Sequence, residues 1–516
     1  MLKSNFKISL FIFLFVLGNL KAQLSSDALR YTQLRSMGSA RMTGVNGAMG
    51  SIGGDFAAIG INPAGIGVFR KSDFSFSFLG TSANIESIVT GDTRNVSQDQ
   101  NKIGAAFSGI GLVICTKPIG SNWKQVNIAI GLNGMGSFTQ DSYFSGISKG
   151  SIIHRYYELA IDPAYSDGRG FLPDDLDDFE AGLAYETGAL YELDETITPT
   201  YYTTDLLEKQ NVQTLKSETF RQSGFARNLV FGVGANYDEF LQVGANLEVP
   251  VGEYSHIKRY QELNPGASNL QPFDQIKTEE NLNTSYGGVQ FKTGFILKPI
   301  HSIRLGLSWS SPSYLWMEDE YSTTMEYRYL ENNQFKTNSS SSPDGYFNYR
   351  LITPMRWVAS ASLVGKLGFI SFDVDIYDPS KSRFDLTSES DNPADRRYQE
   401  ILNEDIAKQY KTTIEYRLGA ELALEKLRLR GGYQISSSPF ANSNEYQNGF
   451  SFGAGLRLKR FFMDLGFQQM NSKNGYLPFQ TGQSDFNSDG TIDAVTTLVN
   501  QNKLFSSLQF TIGFKF

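Results

Sequence analysis

Apolar and polar residues alternate with a period of two along most of the chain, the signature of β-strands with two unlike faces. In the closing segment LFSSLQFTIGFKF, Phe510, Ile512, Phe514 and Phe516 share one face, and Gln509, Thr511, Gly513 and Lys515 share the other. Leu229, Phe231, Val233, Ala235 and Tyr237 line a second strand, and Ile303, Leu305, Leu307 and Trp309 a third. Phe372, Val374 and Ile376 mark another, and the longest face runs through Ile414, Tyr416, Leu418, Ala420, Leu422 and Leu424. Their opposite faces carry Arg304, Asp373, Asp375, Glu415, Arg417, Glu421, Arg428 and Arg430, interleaved with Gly, Ser and Ala. A soluble sandwich alternates too, with its apolar face inward, so the pattern alone does not say which side meets lipid.

Connection lengths separate the alternatives. Six strand pairs are joined by very short turns centred near residues 118, 238, 300, 367, 426 and 460. Two of these turns are nearly the same phrase, Lys117-Pro118-Ile119 and Lys298-Pro299-Ile300. Between the pairs lie long polar segments at roughly 84–100, 139–222, 252–283, 312–346, 380–410, 436–448 and 472–503. Short turns at one end and long loops at the other are the asymmetry of outer-membrane barrels. One strand before the first loop, six hairpin pairs and one closing strand predict an all-β fold, a 14-stranded antiparallel transmembrane β-barrel with both chain ends on the periplasmic side. Residues 313–330 read either as an extra strand or as an extension above the membrane.

The ends of the chain agree with export. Lys3 and Lys7 precede the apolar run Ile8–Leu17, and small Ala22 precedes Gln23, so residues 1–22 read as a signal peptide. That run is too short to cross a bilayer as a helix, no later segment reaches a helix-spanning length, and no Cys follows the cleavage point to carry a lipid anchor. Removing the leader takes three lysines and no acids, deepening the net charge from −8 to −11, which argues against nucleic-acid binding. The single cysteine, Cys115, forms no internal disulfide, so closure of the barrel has to supply the stability instead. The 49 Gly, 38 Phe and 26 Tyr suit strands and turns better than helices.

Residues 24–72 do not alternate. The stretch GSARMTGVNGAMGSIGGDFAAIGINPAGIGVFR is dense in glycine and small residues and suits a compact plug inside a lumen. It lacks the Gly-Lys-Ser/Thr of a phosphate-binding loop. The phrase Gly53-Gly54-Asp55-Phe56, followed by Ile61-Asn62-Pro63-Ala64-Gly65, resembles the N-terminal hatch of the FadL-like family of outer-membrane transporters for long-chain fatty acids and hydrophobic compounds. The resemblance covers effectively the whole chain. It implies a signal peptide at 1–22, a hatch at 23–71 lying in the lumen, and a barrel at 72–516. It also implies that Asn62, Pro63 and Ala64 belong to a hatch whose rearrangement opens a path, although Asn before Pro also favours a plain turn. The segment between the third and fourth strands is much longer than in the family, so surface-loop binding residues do not carry over.

Candidate chemistry is sparse. Arg304, Arg417, Arg428 and Arg430 face the lumen, either to receive a ligand carboxylate or to pair with Asp373, Glu415 and Glu421. The loop DFNSDGTIDAVT (485–496) resembles a calcium site, with Asp485, Asn487, Asp489, Thr491 and Asp493 as oxygen donors. Thr496 stands where a bidentate Glu belongs, so an ordinary Asp/Asn/Gly surface loop is the other reading. Leu176, Phe179, Leu183, Leu190 and Tyr191 have helical spacing, for an amphipathic helix that either greets a ligand or packs over the barrel mouth. His154, His256 and His301 show no metal-ligand spacing, and no nucleophile elbow or HExxH is present, so no enzyme is expected and no cofactor beyond the calcium option.

The expected function is passive, ligand-gated uptake of hydrophobic small molecules such as long-chain fatty acids by a monomer set in outer-membrane lipid and lipopolysaccharide of a Gram-negative bacterium. The alternative is a scaffold or shuttle in protein secretion that binds a protein partner at its extracellular loops. A general-diffusion porin is disfavoured by the plug.

Overall fold

The computed structural model describes residues 25–516 apart from 93, 95, 163–167, 195–199, 388–392, 483–491 and 493. The leader at 1–22 lies outside the described residues. Fourteen antiparallel strands close one barrel. They are β1 (Asp73–Val89), β2 (Gln98–Thr116), β3 (Trp123–Ser137, resumed as Gln140–Lys149), β4 (Gln213–Tyr237), β5 (Leu241–Leu263), β6 (Phe273–Ile300) and β7 (Ile303–Ser310, resumed as Tyr314–Glu331). Then follow β8 (Gly345–Ile352, resumed as Arg356–Gly365), β9 (Gly368–Tyr377), β10 (Thr413–Leu424), β11 (Leu427–Ser437), β12 (Tyr446–Arg457), β13 (Phe461–Tyr476) and β14 (Val499–Lys515). β14 pairs with β1 from Lys515↔Asp73 to Val499↔Val89, leaving no free edge there. The six short connections fall where the turn signals placed them, and both ends of the barrel lie on that side.

The face left open by the alternation is now fixed. Phe231, Leu418 and Phe452 point outward and are 44%, 49% and 61% exposed, while Asp373 and Glu415 point inward and are 0% exposed. Large apolar side chains turned outward around a closed wall are stable only if lipid surrounds them. Among the described residues no helix is long and apolar enough to cross a membrane.

Strands continue further into the expected loops than the polarity of those segments suggested. β4, β5 and β6 are 25, 23 and 28 residues long, against about 9–11 needed to span a bilayer. The wall therefore stands well above the membrane, and the stretch 252–283 is mostly strand with a tip at 264–272. There the outward face is charged, with Arg259 paired to Glu279 at 2.6 Å and Lys277 to Glu326 at 2.7 Å. Residues Tyr314–Glu331 prove to be an extension of β7, paired to β6, and a further strand Gln334–Ser341 pairs with its upper part where β8 pairs with its lower part.

The long connection between β3 and β4 folds into a cap. Two helices, Ile152–Ala160 and Ala181–Thr187, with Leu190 just beyond the second, pack Ile153, Tyr156, Leu183 and Leu190 onto Phe273, Ile276 and Tyr327 of the raised wall. The helical spacing read over 176–191 is realised only across 181–187. Leu176, Leu183 and Leu190 are buried, so the run covers the barrel mouth, with only Tyr191 at its end exposed. A further helix, Pro393–Gln409, within the segment read as a polar loop, packs Leu402 and Ile406 beside Leu29 of the plug.

Candidate functional site: the hatch and its fit to the wall

Residues 25–72 fill the lumen. The plug opens with a helix, Ser25–Thr32, and its second helix, Ala40–Gly44, starts at Ser39, whose hydroxyl accepts from Met42 N at 3.2 Å and donates to Asp55 at 2.8 Å. Asp55 also accepts from Ala57 N at 2.9 Å, holding the turn that follows. The hatch phrase forms one knot. Asn62 caps the 3-10 turn Pro63–Val68 by accepting from Ala64 N at 3.0 Å, while its amide donates to Gly50 O at 2.7 Å and to Phe295 O of the wall at 3.2 Å. Pro63 costs nothing at the first position of that turn, where its missing N–H is not needed. Gly53 and Gly54 take left-handed backbone, φ 64 and 68, and a Cβ on Gly53 would lie 2.7 Å from Gly65 Cα. Gly53, Gly54, Asn62, Pro63, Ala64 and Gly65 thus converge, and Asp55 anchors the same knot to the second helix. On the wall side, a Cβ on Gly244 would strike the carbonyl of Pro63, so only glycine lets β5 press against the turn.

The hatch is polar toward the wall, and the wall answers it. Lys292 donates to Gly60 O at 2.9 Å, Arg304 to Ile52 O at 3.0 Å, Ser308 to Ile61 O at 2.7 Å, and Asp373 accepts from Gly50 N at 2.9 Å. Arg35 pairs with Glu415, and Arg41 lies 3.3 Å from Glu421 while donating to Gly54 O at 3.2 Å. The inward arginines are held by partners already present. Arg417 lies 3.3 Å from Asp375, and Arg430 lies 2.7 Å from both Glu421 and Asp464. Arg428 donates to the carbonyls of Glu425 and Leu427, and Arg304 serves the hatch backbone. Arg304, Arg417 and Arg430 thus meet partners inside the lumen, and Arg428 meets carbonyls of its own turn. The sequence reading missed Arg35 and Arg41, the plug's own cations. Their signal was the excess of inward acids over inward bases on β9 and β10. The candidate calcium ligands Asp485, Asn487, Asp489, Thr491 and Asp493 lie outside the described residues.

The wall is incomplete beside the hatch. β2 pairs with β1 from Gln98 up to Val113 but with β3 only over Gly109–Thr116. Above Gly134, β3 leaves β2, breaks, and resumes as a segment paired to β4 alone. The hatch takes up the abandoned backbone groups: Arg35 N donates to Met135 O at 3.1 Å and Met37 N to Gly134 O at 2.8 Å. Gln509 of β14 holds Met37 O from the other side at 2.6 Å. The plug is thus part of the wall at this point. Beside it a cavity of about 90 Å³ is lined by Tyr31, Leu34 and Ser36 of the hatch and by Tyr286 and Arg356 of the wall. Sites for drug-sized ligands run to about 300–1,000 Å³, so this cavity as it stands is too small for an acyl chain.

These features define a plugged, fourteen-stranded membrane barrel of the outer-membrane type. Its fold is that of a Pseudomonas aeruginosa FadL homologue of known crystal structure, at 10% identity, over 94% of this chain and 99% of that one, with a TM-score of 0.53. The Pseudomonas putida toluene transporter TodX is similar over 94% of this chain and 99% of its own at 11% identity and a TM-score of 0.48, and the monoaromatic hydrocarbon channel CymD over 93% and 97% at 10% and 0.42. No protein-family model and no curated protein matches the chain by sequence.

Proposed function

We propose that this protein carries hydrophobic small molecules, long-chain fatty acids among them, passively across the outer membrane of a Gram-negative bacterium, and that the hatch is the gate. The observation that carries this reading is the exchange of partners at the break in β3, where plug backbone replaces wall backbone. A water-filled pore rejects apolar solutes, and so does the polar surface of lipopolysaccharide; a plugged lumen with a side gap into the bilayer avoids both. Withdrawal of Leu34–Gly38 from Gly134 and Met135 joins the cavity to that gap and lets a solute leave sideways into lipid. The barrel works as a monomer, with lipid and lipopolysaccharide around its apolar band. The similarity to a FadL homologue and to hydrocarbon channels supports the class of solute.

The test is uptake of radiolabelled oleate and naphthalene by a deletion strain and its complemented parent. Faster entry of either probe in the complemented strain is expected; equal entry of both in the two strains refutes transport.

A further inference from the structure

The outer face of the wall carries an uneven patch where its apolar band meets its charged one. Cross-strand pairing sets two rows there, from β4 to β7. The lower row is Arg227, Val251, Gly287 and Trp316, and the upper row is Phe225, Glu253, Ser285 and Glu318. Gly287 leaves a hole in the lower row, and a Cβ there would meet nothing within 4 Å. The result is a groove of about 490 Å³, floored by Gly287, flanked by Val251 and Trp316, and rimmed by the upper row. Trp316 is 51% exposed and offers its indole to that space. Glu253 and Glu318 are exposed, and among the described residues neither has an ion-pair partner. Outward acids higher up are paired, Glu279 to Arg259 and Glu326 to Lys277. Arg227 lies 4.1 Å over the Phe225 ring. An aromatic belt accounts for a Trp at this level, but not for a bare glycine beside it beneath two unpaired carboxylates.

We infer that this groove binds the unphosphorylated sugar head of a glycolipid in the outer leaflet. The apolar C–H face of a pyranose lies flat against an indole, as Trp316 presents it. Sugar hydroxyls donate, and an ionised carboxylate only accepts, so Glu253 and Glu318 take charge-assisted bonds from the ring while Ser285 between them gives or takes another. The same two carboxylates repel a phosphate, which disfavours every phospholipid head. The groove has the volume of a small-ligand site. What lies beneath it selects a lipid over a free sugar. Leu229, Val249, Val289 and Tyr314 form the next row down, and Leu247 and Phe291 pair in the row after, all on the lipid-facing side. An acyl chain therefore runs down the wall from a head seated at Gly287. The site lies outside the lumen and does not depend on the uptake reading.

The test is native mass spectrometry of the full barrel offered monoglucosyldiacylglycerol, diacylglycerol and phosphatidylethanolamine with the same acyl chains. The parent should retain the glucolipid about tenfold more than either other lipid, the worth of one stacked ring or one charge-assisted bond. Trp316→Leu keeps apolar surface but removes the flat ring, and Gly287→Leu fills the groove at a position with room for a side chain. Each should abolish that preference while leaving retention of diacylglycerol unchanged, and the pair Glu253→Ala and Glu318→Ala should do the same. Equal retention of the three lipids by the parent overturns the site. So does a glucolipid preference that survives both Trp316→Leu and Gly287→Leu, since the lipid then sits elsewhere, the lumen included. Preference for phosphatidylethanolamine overturns the sugar in favour of an ammonium head. Displacement of the glucolipid by an equal concentration of free glucose overturns the lipid source.

Discussion

Strand β6 passes through two regions that obey the same period with opposite phase. In its lower part, Leu297, Phe295, Phe291 and Val289 point outward and Lys292 points inward, 2.9 Å from Glu248 and 2.9 Å from a hatch carbonyl. In its upper part, Asn281, Glu279 and Lys277 point outward, and Leu282 and Ile276 are buried on the inside. Below, lipid surrounds the wall and polar hatch backbone fills it. Above, water surrounds the wall and the apolar cap fills it. Alternation specifies a strand; what lies on either side decides which phase is apolar. The crossover falls near Gly287, the level of the hatch cavity that Tyr286 lines.

The largest effect is expected where the lower lumen depends on paired charge. Glu421→Ala strips Arg41, Arg428 and Arg430 of a shared carboxylate, and an uncompensated buried charge costs about 3–5 kcal/mol. Urea unfolding in lipid vesicles should show that loss. Next comes the contrast of phases. Leu418→Arg on the lower outward face should cost about 2–4 kcal/mol in the same assay, while Asn283→Arg on the upper outward face should stay within about 0.5 kcal/mol. Equal costs at the two sites would erase the distinction between the regions.

The upper region should also respond to pH. Burial under the cap holds the His154 imidazole down to about 4, below the usual value near 6.5. The folded cap therefore binds this proton less readily than the unfolded chain does. Its contribution is full above about pH 6.5 and is lost as pH falls toward 4. Hydrogen exchange at 152–160 should rise over that window while the lower strands hold, and His154→Gln should flatten the response. The smallest effect is at the hatch knot: Asn62→Ala removes a cap and two donated bonds, worth about 1–2 kcal/mol, read as faster exchange at 50–66.

The lower region was nearly all legible in the chain. Strict alternation from Ile414 to Leu424, turns such as Lys298-Pro299-Ile300 and the terminal Phe516 gave strand number, order and sidedness because a thin lipid band imposes one rule on every strand. The upper region was not. Arg259, Lys277 and Glu279 read as loop because polarity there reflects water outside the wall, not the absence of strand. The helix Pro393–Gln409 escaped notice because its supported face is mixed, with Leu402 and Ile406 beside Tyr398, Gln399 and Asn403. For the site, Asn62-Pro63-Ala64 marked the knot. The break in β3 is marked locally only by Gly134 and Gly136, which fit a bulge; what fills it is the hatch segment Arg35–Met37, about a hundred residues earlier in the chain. Arg35 and Arg41 likewise acquire meaning only beside Glu415 and Glu421.

The direct test of the gate is a tether across the gap. Gly38 of the hatch packs close against the Asn133 side chain of β3, near enough for a disulfide between Gly38→Cys and Asn133→Cys once Cys115 is replaced by Ser. With the bond formed, the plug cannot leave the wall. Oleate entry should then drop to the level of the deletion strain and return on reduction. Entry in the oxidised form as fast as in the reduced form would contradict a hatch that opens the wall.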